Sequence, residues 1–211
     1  MKTKTMGIAL LSAAALLGGT AAQAGLPWTY GELAYLSADG TENSETDALE
    51  LKGSMGFASM WHAQLSYLDG ETDTSFSSGF DFDGFRVVVG AHPQLTPNTQ
   101  LIADLTYFDY GYENNGPDTD GYGVGLGLRH ALSDKFEIIG EVWVVDGAEG
   151  GGSGPDTDYK DTTVEVGGRY NWMPSLSTGL TVSINGYPGF SQVSSSEVVR
   201  FDVRWSFGDV L

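Results

Sequence analysis

The sequence predicts an all-β fold, an antiparallel up-and-down transmembrane β-barrel of about ten strands, with eight strands as the alternative. Three observations predict it. Apolar and polar residues alternate along short segments, which is the period of a strand with two different faces. Long and short connections alternate between these segments. The apolar stripe carries no basic residue, as a lipid-facing surface requires.

The composition excludes several functional classes. The 211 residues include 28 acidic and 10 basic side chains, giving a formal charge of −18, and no cysteine. Phosphate binding needs clustered Lys and Arg, so nucleic acid is not expected as a partner. Without cysteine there is no disulfide scaffold, thiolate metal site or cysteine nucleophile. We expect no cofactor.

Residues 1–24 have the layout of a cleaved secretory signal peptide. Lys2 and Lys4 precede an apolar stretch from Met6 to Leu17, and Ala22-Gln23-Ala24 is an A-x-A cleavage site. The stretch is too short and wrongly flanked for a membrane helix, although an uncleaved anchor is the alternative. The predicted domains are therefore the signal peptide, 1–24, and one barrel domain, 25–211.

The alternation places the strands in chain order. The last strand is the clearest, since Val199, Phe201, Val203 and Trp205 alternate with polar residues. The ten predicted strands are approximately 28–36, 46–55, 60–68, 81–92, 99–109, 120–130, 136–146, 162–172, 178–186 and 197–207. Their length matches a tilted strand that crosses a bilayer. Eight strands result if the first or the ninth segment does not span.

The connections between the predicted strands define two rims. Short connections lie near 56–59, 93–98, 131–135 and 173–177, and long ones near 37–45, 69–80, 110–119, 147–161 and 187–196. Short periplasmic turns and longer extracellular loops are typical of outer-membrane barrels. The barrel must close, because an open sheet edge in lipid leaves backbone groups unpaired.

A soluble secreted barrel that binds a small ligand has the same alternation of apolar and polar residues. The placement of particular side chains distinguishes a membrane barrel from it. All five arginines fall in predicted strands, on the face opposite the apolar stripe. Aromatic residues cluster at both ends of the stripe. Trp61, Phe136, Trp172, Trp205 and Phe207 lie near the short turns, and Tyr67, Phe85, Tyr107 and Tyr122 lie near the long connections. Two aromatic girdles are expected at the two membrane interfaces, and strand propensity is the alternative explanation.

The last strand, Phe201-x-Val203-x-Trp205-x-Phe207, resembles the C-terminal signature of Gram-negative outer-membrane β-barrel proteins. The strand–turn–strand units Val87 to Tyr107 and Tyr122 to Val144 resemble small barrels of the OmpA-membrane-domain and OmpX type. The resemblance implies location in the cell outer membrane and recognition by the barrel-assembly machinery. The sequence departs from it in two respects: Gly208 to Leu211 follow the final Phe, and ten strands exceed the eight of those families.

If the apolar face meets lipid, the opposite face lines the lumen. The predicted lumen charge network comprises Glu32, Glu50, Lys52, Arg86, Asp104, Arg129, Glu137, Glu141, Glu165, Arg169, Arg200, Asp202 and Arg204, with His62 and Gln64 on the same face. Unpaired charges there are costly, so we expect arginine–carboxylate pairs. A plugged interior is the first interpretation, and a narrow porin-like channel for ions or small solutes is the alternative.

Catalysis is not predicted. His62, His92 and His130 each lie beside a short turn, away from external substrates. Asp81 and Asp83 form an acidic pair at the external end of a strand, but no histidine accompanies them to act as a base. We interpret the pair as a solvated loop edge and expect a protein that is not an enzyme.

The long connections carry most of the negative charge. The pentapeptide Gly-Pro-Asp-Thr-Asp occurs at 116–120 and 154–158, and Glu-Thr-Asp at 45–47 and 71–73. Aspartates two residues apart offer oxygens to divalent cations, so Asp118, Asp120, Asp156 and Asp158 are weak metal candidates. Hydrated loops that resist aggregation are the alternative. The predicted role is structural or surface-interacting, through acidic loops that bind lipopolysaccharide by way of cations.

Overall fold

The computed structural model describes residues 26–39, 44–74, 77–113, 118–150, 157–188 and 197–207. The predicted signal peptide lies outside the described residues. Eleven strands form one sheet: β1 Tyr30–Asp39, β2 Ser44–Phe57, β3 Trp61–Thr74, β4 Ser77–Ala91, β5 Gln94–Thr96, β6 Thr99–Tyr112, β7 Asp118–Ala131, β8 Phe136–Gly150, β9 Thr157–Met173, β10 Leu176–Ile184 and β11 Glu197–Ser206. Within the described ranges no helix is long and apolar enough to cross a membrane.

The sheet closes into an antiparallel up-and-down barrel of ten long strands. Each long strand pairs with its neighbours in sequence, β4 pairs with β6, and β1 pairs with β11 from Tyr30↔Ser206 to Asp39↔Glu197. The short strand β5 covers the start of β6 in the turn after β4. Closure satisfies backbone groups that an open edge would leave unpaired. The predicted ten-strand architecture is therefore confirmed.

Most strands extend further from the short turns than the alternation predicts. β3 continues to Thr74 and β9 begins at Thr157, so parts of the predicted long connections are paired backbone. In these parts of β3 and β9 the residues of both faces are largely polar. The apolar stripe by which a strand is recognised in the sequence is therefore absent. In contrast, β10 ends at Ile184, where Asn185 and Gly186 adopt positive φ angles of 63° and 87°.

The two faces of the barrel follow the predicted alternation. Outward positions are apolar and exposed along each strand, as with Leu105, Val124, Leu126 and Phe201. Inward positions carry the polar and charged residues of the lumen. The short turns lie at one end and the longer connections at the other, and we call these the periplasmic and external ends.

The interior has two chemically distinct halves. Toward the external end, the lumen holds an apolar cluster: Ala34, Leu36, Ala38, Ala48, Leu68, Phe82, Phe108, Tyr110, Tyr112, Val145, Tyr187 and Val198. Phe108 is 0% exposed and Phe82 1% exposed. These residues come from both sides of the barrel, so their side chains meet across it. The middle and periplasmic parts hold the charged residues around a cavity of about 100 Å³.

Candidate functional site

Glu32 is the centre of the ion pairs in the lumen. It lies on β1 and is buried. Its carboxylate contacts Arg204 Nε at 2.7 Å, Arg169 Nη2 at 3.1 Å and Lys52 Nζ at 3.4 Å, and it also pairs with Arg200. One buried carboxylate therefore faces four cations from β2, β9 and β11.

Further carboxylates balance this excess of positive charge. Glu50 accepts a hydrogen bond from Arg200 Nε at 2.9 Å, and Asp202 pairs with Arg200 at 3.1 Å and with Arg169 at 2.6 Å. Glu137 binds Arg129 through both oxygens, at 2.9 and 3.0 Å. Such paired, charge-assisted hydrogen bonds stabilise buried ions that would otherwise be costly.

Three charged groups of the lumen stand apart from these pairs. Arg86 is 6% exposed, and no carboxylate lies within ion-pair distance of it among the described residues. Glu141 lines the same cavity as Arg86 and forms no ion pair within the described chain. Glu165 accepts hydrogen bonds from Trp143 Nε1 at 3.1 Å and from Ser183 Oγ at 2.9 Å, which are neutral donors.

The residues of the sequence-based network all lie on the inward face. The structure joins Glu32, Glu50, Lys52, Arg129, Glu137, Arg169, Arg200, Asp202 and Arg204 by contacts below 4 Å. It leaves Arg86, Glu141 and Glu165 outside those ion pairs. Asp104 contacts His62 Nε2 at 3.2 Å instead of an arginine. The arginine–carboxylate explanation thus fits only part of the predicted set.

Trp28 lies buried in the periplasmic part of the lumen, a feature that the sequence analysis misses. The alternation places Trp28 in the first strand, whereas the structure begins β1 at Tyr30 and turns Trp28 inward. Its indole stacks on His62 at 4.0 Å and on His92 at 4.5 Å, and Nε1 donates to Gln100 Oε1 at 3.0 Å. The Nδ1 atoms of the two histidines lie 3.3 Å apart.

Tyr187 occupies the lumen from the other direction. It follows β10 in what the sequence suggests is an external loop, yet it is 4% exposed. Its hydroxyl donates to Glu50 Oε1 at 2.8 Å, and its ring lies 4.9 Å from the Arg86 guanidinium carbon. Asn185 and Gly186, just before Tyr187, both adopt positive φ angles and turn the chain back into the lumen. The Asn-Gly pair, which favours turns, is the local signal in the sequence for this change of direction.

Carboxylates form a ring around the external end, on the outward face. On every long strand except β10, the outward row changes from apolar or aromatic residues to acids near the external end. This outer carboxylate ring comprises Asp39, Glu45, Asp47, Asp69, Glu71, Asp73, Asp81, Asp83, Asp109, Asp118, Asp120, Asp146, Asp158 and Glu197. Much of the negative charge predicted for loops is therefore fixed on strands.

Strand pairing places many of these acids directly opposite one another. Asp69 pairs with Asp83, and Glu71 pairs with Asp81. Asp109 pairs with Asp120. A further row runs across four strands through Glu197, Asp39, Glu45 and Asp73. Directly opposed like charges destabilise a sheet, so this arrangement is electrostatically unfavourable by itself.

The described part of the ring contains one ion pair, Lys160 Nζ to Asp146 Oδ2 at 2.9 Å. Two girdle tyrosines donate to ring carboxylates, Tyr35 to Asp47 at 2.5 Å and Tyr67 to Asp83 at 2.8 Å. These contacts fix the carboxylates close to the outer aromatic girdle. Within the described ranges, the opposed acids Asp69, Asp83, Glu71 and Asp81 have no ion pair with a basic side chain.

The predicted metal candidates do not form one cluster. Asp118 and Asp120 lie on β7, and Asp158 lies on β9 with Ala148 of β8 between it and Asp120. Asp156 lies outside the described residues. No group of three or more His, Asp or Glu residues in the described ranges has the geometry to hold a metal ion.

The barrel is closed, its outward face is apolar and its lumen is polar. Together these three features indicate that the barrel spans a membrane. Leu105 and Leu126 are 64% and 60% exposed on the outward face. Large apolar side chains exposed in this way are unfavourable in water and favourable in lipid. The chain is a transmembrane β-barrel of the outer-membrane type. Membrane lipid surrounds its apolar outward face.

Comparison with known proteins finds similarity among solved structures alone. No protein-family profile and no curated protein matches the sequence. The translocator domain of the autotransporter NalP from Neisseria meningitidis has 10% identity and a TM-score of 0.48, covering 95% of this chain and 94% of that one. The KdgM porin has 17% identity and a TM-score of 0.43, covering 84% and 99%. Ail, the attachment invasion locus protein of Yersinia pestis, has 10% identity and a TM-score of 0.40, covering 86% and 99%.

Proposed function

We propose that this barrel has a surface-interaction role, in which the outer carboxylate ring binds divalent cations that link it to lipopolysaccharide. The directly opposed acids carry this proposal, above all Asp69 with Asp83 and Glu71 with Asp81. Opposite residues of an antiparallel pair have Cβ atoms about 5 Å apart. Two carboxylates at that separation are able to share one Ca²⁺ or Mg²⁺.

The remaining ligands come from outside the protein in this proposal. Ca²⁺ takes about six to eight oxygen ligands, and a pair of opposed carboxylates supplies only part of that number. The phosphate groups of neighbouring lipopolysaccharide supply more, with water completing the shell.

The apolar cluster in the external half of the lumen supports a role at the surface over transport. Its members Phe82 and Phe108 are fully buried. A narrow porin-like channel is the alternative, and it requires these side chains to move aside. The proposal also includes cleavage of residues 1–24, assembly by the barrel-assembly machinery and the absence of catalytic activity.

The test is calcium-dependent stabilisation in membranes with and without lipopolysaccharide. The purified barrel is placed in vesicles of phosphatidylethanolamine alone or with lipopolysaccharide, and thermal unfolding is followed by heat-modifiable gel migration. We expect millimolar Ca²⁺ to raise the unfolding temperature only in lipopolysaccharide vesicles, and EDTA to reverse the effect. An equal effect in both vesicles contradicts the linkage.

Variants identify the residues responsible. The double substitution Asp69→Asn with Asp83→Asn removes one opposed pair and is expected to reduce the calcium effect. Asp146→Asn is the matched control, because Lys160 already neutralises that carboxylate at 2.9 Å. Unchanged calcium dependence in the double variant contradicts the assignment to opposed acids.

A further inference from the structure

Each of the four short turns at the periplasmic end exposes a large apolar side chain. In chain order these residues are Met60, Leu95, Leu132 and Met173, and their exposed fractions are 39%, 56%, 56% and 50%. One exposed apolar residue is common on a protein surface and needs no explanation. Its recurrence in all four turns indicates that the turns share an environment that is less polar than bulk water.

The same turns carry almost no charge. Asp134 is their only acidic residue, and Lys135 is their only lysine or arginine. The external end, in contrast, carries the outer carboxylate ring on its outward face. The two ends of the barrel are therefore built for different surroundings, and the periplasmic end is the less polar of the two.

The turns also lie directly beside the periplasmic aromatic girdle. Trp61 begins β3 and Phe136 begins β8, and the turns before them comprise only residues 58–60 and 132–135. A turn of that length extends about two residues past the strand ends, or roughly 7 Å at the rise of a strand, and strand tilt shortens this distance. The headgroup layer adds about 5–7 Å on each side of the hydrocarbon. Since the girdle marks the membrane interface, these turns lie at the depth of the headgroups.

Hydrogen bonds between neighbouring hairpins satisfy backbone groups of the turns. Four bonds between 2.7 and 2.9 Å long follow one another around the rim: His92 N to Met60 O, Ala131 N to Asn98 O, Asn171 N to Lys135 O and Ser206 N to Ser175 O. Unpaired backbone groups are costly where water is scarce. This pairing therefore allows the turns to lie outside bulk water.

We infer that the periplasmic turns form a lipid-binding surface, which inserts into the headgroup layer of the phospholipid leaflet at that end of the barrel. The surface is continuous with the apolar outward face through the exposed girdle residues Trp61, Trp172 and Trp205. Its apolar side chains contact the first carbons of the acyl chains, and the few polar groups of the turns face the headgroups. The occupant of this surface is phospholipid and not a protein of the periplasm.

This surface is independent of the outer carboxylate ring, because the two lie at opposite ends of the barrel. Failure of the calcium experiment leaves the lipid-binding surface untouched. Failure of the experiments below leaves the ring proposal untouched.

Fluorescence quenching measures the depth of the turns in a membrane. The chain has no cysteine, so Leu95→Cys and Leu132→Cys each accept one bimane label. Lys160→Cys is the matched control, because that side chain is 77% exposed on the external part of β9. The labelled barrels are placed in phosphatidylethanolamine vesicles, with either a headgroup spin-labelled phospholipid or iodide on both sides of the membrane as the quencher.

We expect the spin-labelled lipid to quench the two turn labels severalfold more strongly than the control label. Iodide should show the reverse order, because it reaches only groups in water. Turn labels that iodide quenches as strongly as the control overturn the inference, whether water or a protein partner covers the turns in the cell.

Photo-cross-linking of the wild-type barrel removes any influence of the label on the position of a turn. Phosphatidylethanolamine with a diazirine on its headgroup is mixed into the vesicles, and the cross-linked residues are identified by mass spectrometry. We expect cross-links within residues 92–98 and 132–135. Cross-links confined to the outward faces of the strands, with none in the turns, overturn the inference.

Discussion

Glu32 and Arg204 face each other directly across β1 and β11, the first and last strands, whose pairing closes the barrel. Arg204 Nε donates to Glu32 Oε2 at 2.7 Å, and its guanidinium carbon lies 3.7 Å from the Tyr30 ring centroid. Arg200, which lies four residues before Arg204 on β11, also pairs with Glu32. The closing seam of the barrel is therefore held by buried ion pairs as well as by backbone hydrogen bonds.

Replacement of Glu32 is expected to be severely destabilising. Glu32→Gln leaves Lys52, Arg169, Arg200 and Arg204 with one carboxylate fewer in a buried setting. Breaking a buried ion pair costs about 3–5 kcal/mol, and we expect a loss of that size in urea unfolding from detergent micelles. Asp146→Asn is the control, since its ion pair with Lys160 is exposed to solvent and exposed pairs add little stability. Equal losses in both variants contradict a central role for Glu32.

The apolar cluster is expected to keep the lumen closed to ions. Wild-type barrel in planar bilayers should show no steady conductance, because Phe108 and Phe82 obstruct the external half. Phe108→Ala removes a fully buried ring, which costs about 3–5 kcal/mol of stability, and the double variant with Phe82→Ala should conduct. Phe136→Ala, on the outer face, is the control. Steady wild-type conductance contradicts the closed lumen.

Gly90 lies too close to Asp104 for any side chain. A Cβ atom at Gly90 overlaps Asp104 Oδ1 and comes within 2.7 Å of His62 Cε1. Gly90→Ala is therefore expected to cost about 1–3 kcal/mol, the range for overpacking. Gly53→Ala is the matched control, since nothing lies within 4 Å of the added atom. Urea unfolding distinguishes the two, and similar stabilities contradict the tight packing of β4 against β6.

Trp28 is expected to protect two histidines from reagents. His62 and His92 are 0% and 5% exposed beneath its indole. Diethylpyrocarbonate should therefore modify His130 first in the folded barrel, as read by mass spectrometry. Trp28→Ala should increase modification of His62 and His92, whereas Trp28→Phe keeps a ring to stack and should preserve the protection. Rapid modification of all three histidines in the wild type contradicts this account of the periplasmic end.

The strand architecture was accessible from local pattern alone. Because alternation makes one face of each strand apolar, Leu105, Leu126 and Phe201 identify the lipid-facing side. This assignment does not require knowing which strands are paired. The same alternation sorts Arg200, Asp202 and Arg204 to the lumen. Alternation fails where both faces are polar, which is why the external extensions of β3 and β9 were predicted as loops.

The pairing of individual groups required the tertiary structure. Glu32 and Arg169 are 137 residues apart, and only closure and register bring them to 3.1 Å. Sequence treats all lumen arginines alike, yet among the described lumen arginines Arg86 alone forms no ion pair with a carboxylate. Trp28 and Tyr187 also lie in the lumen, and each belongs to a segment outside the strands. Residue alternation therefore does not predict where their side chains lie.

The sequence by itself determined the barrel, its two faces and the concentration of negative charge toward one rim, because each is a local property of residue order. The structure decided how that charge is arranged. Register between strands sets Asp69 against Asp83 and Glu71 against Asp81, and register depends on pairing across the whole sheet. The surplus of acids in the sequence is thus arranged as rows of directly opposed carboxylates on the outer face of the barrel.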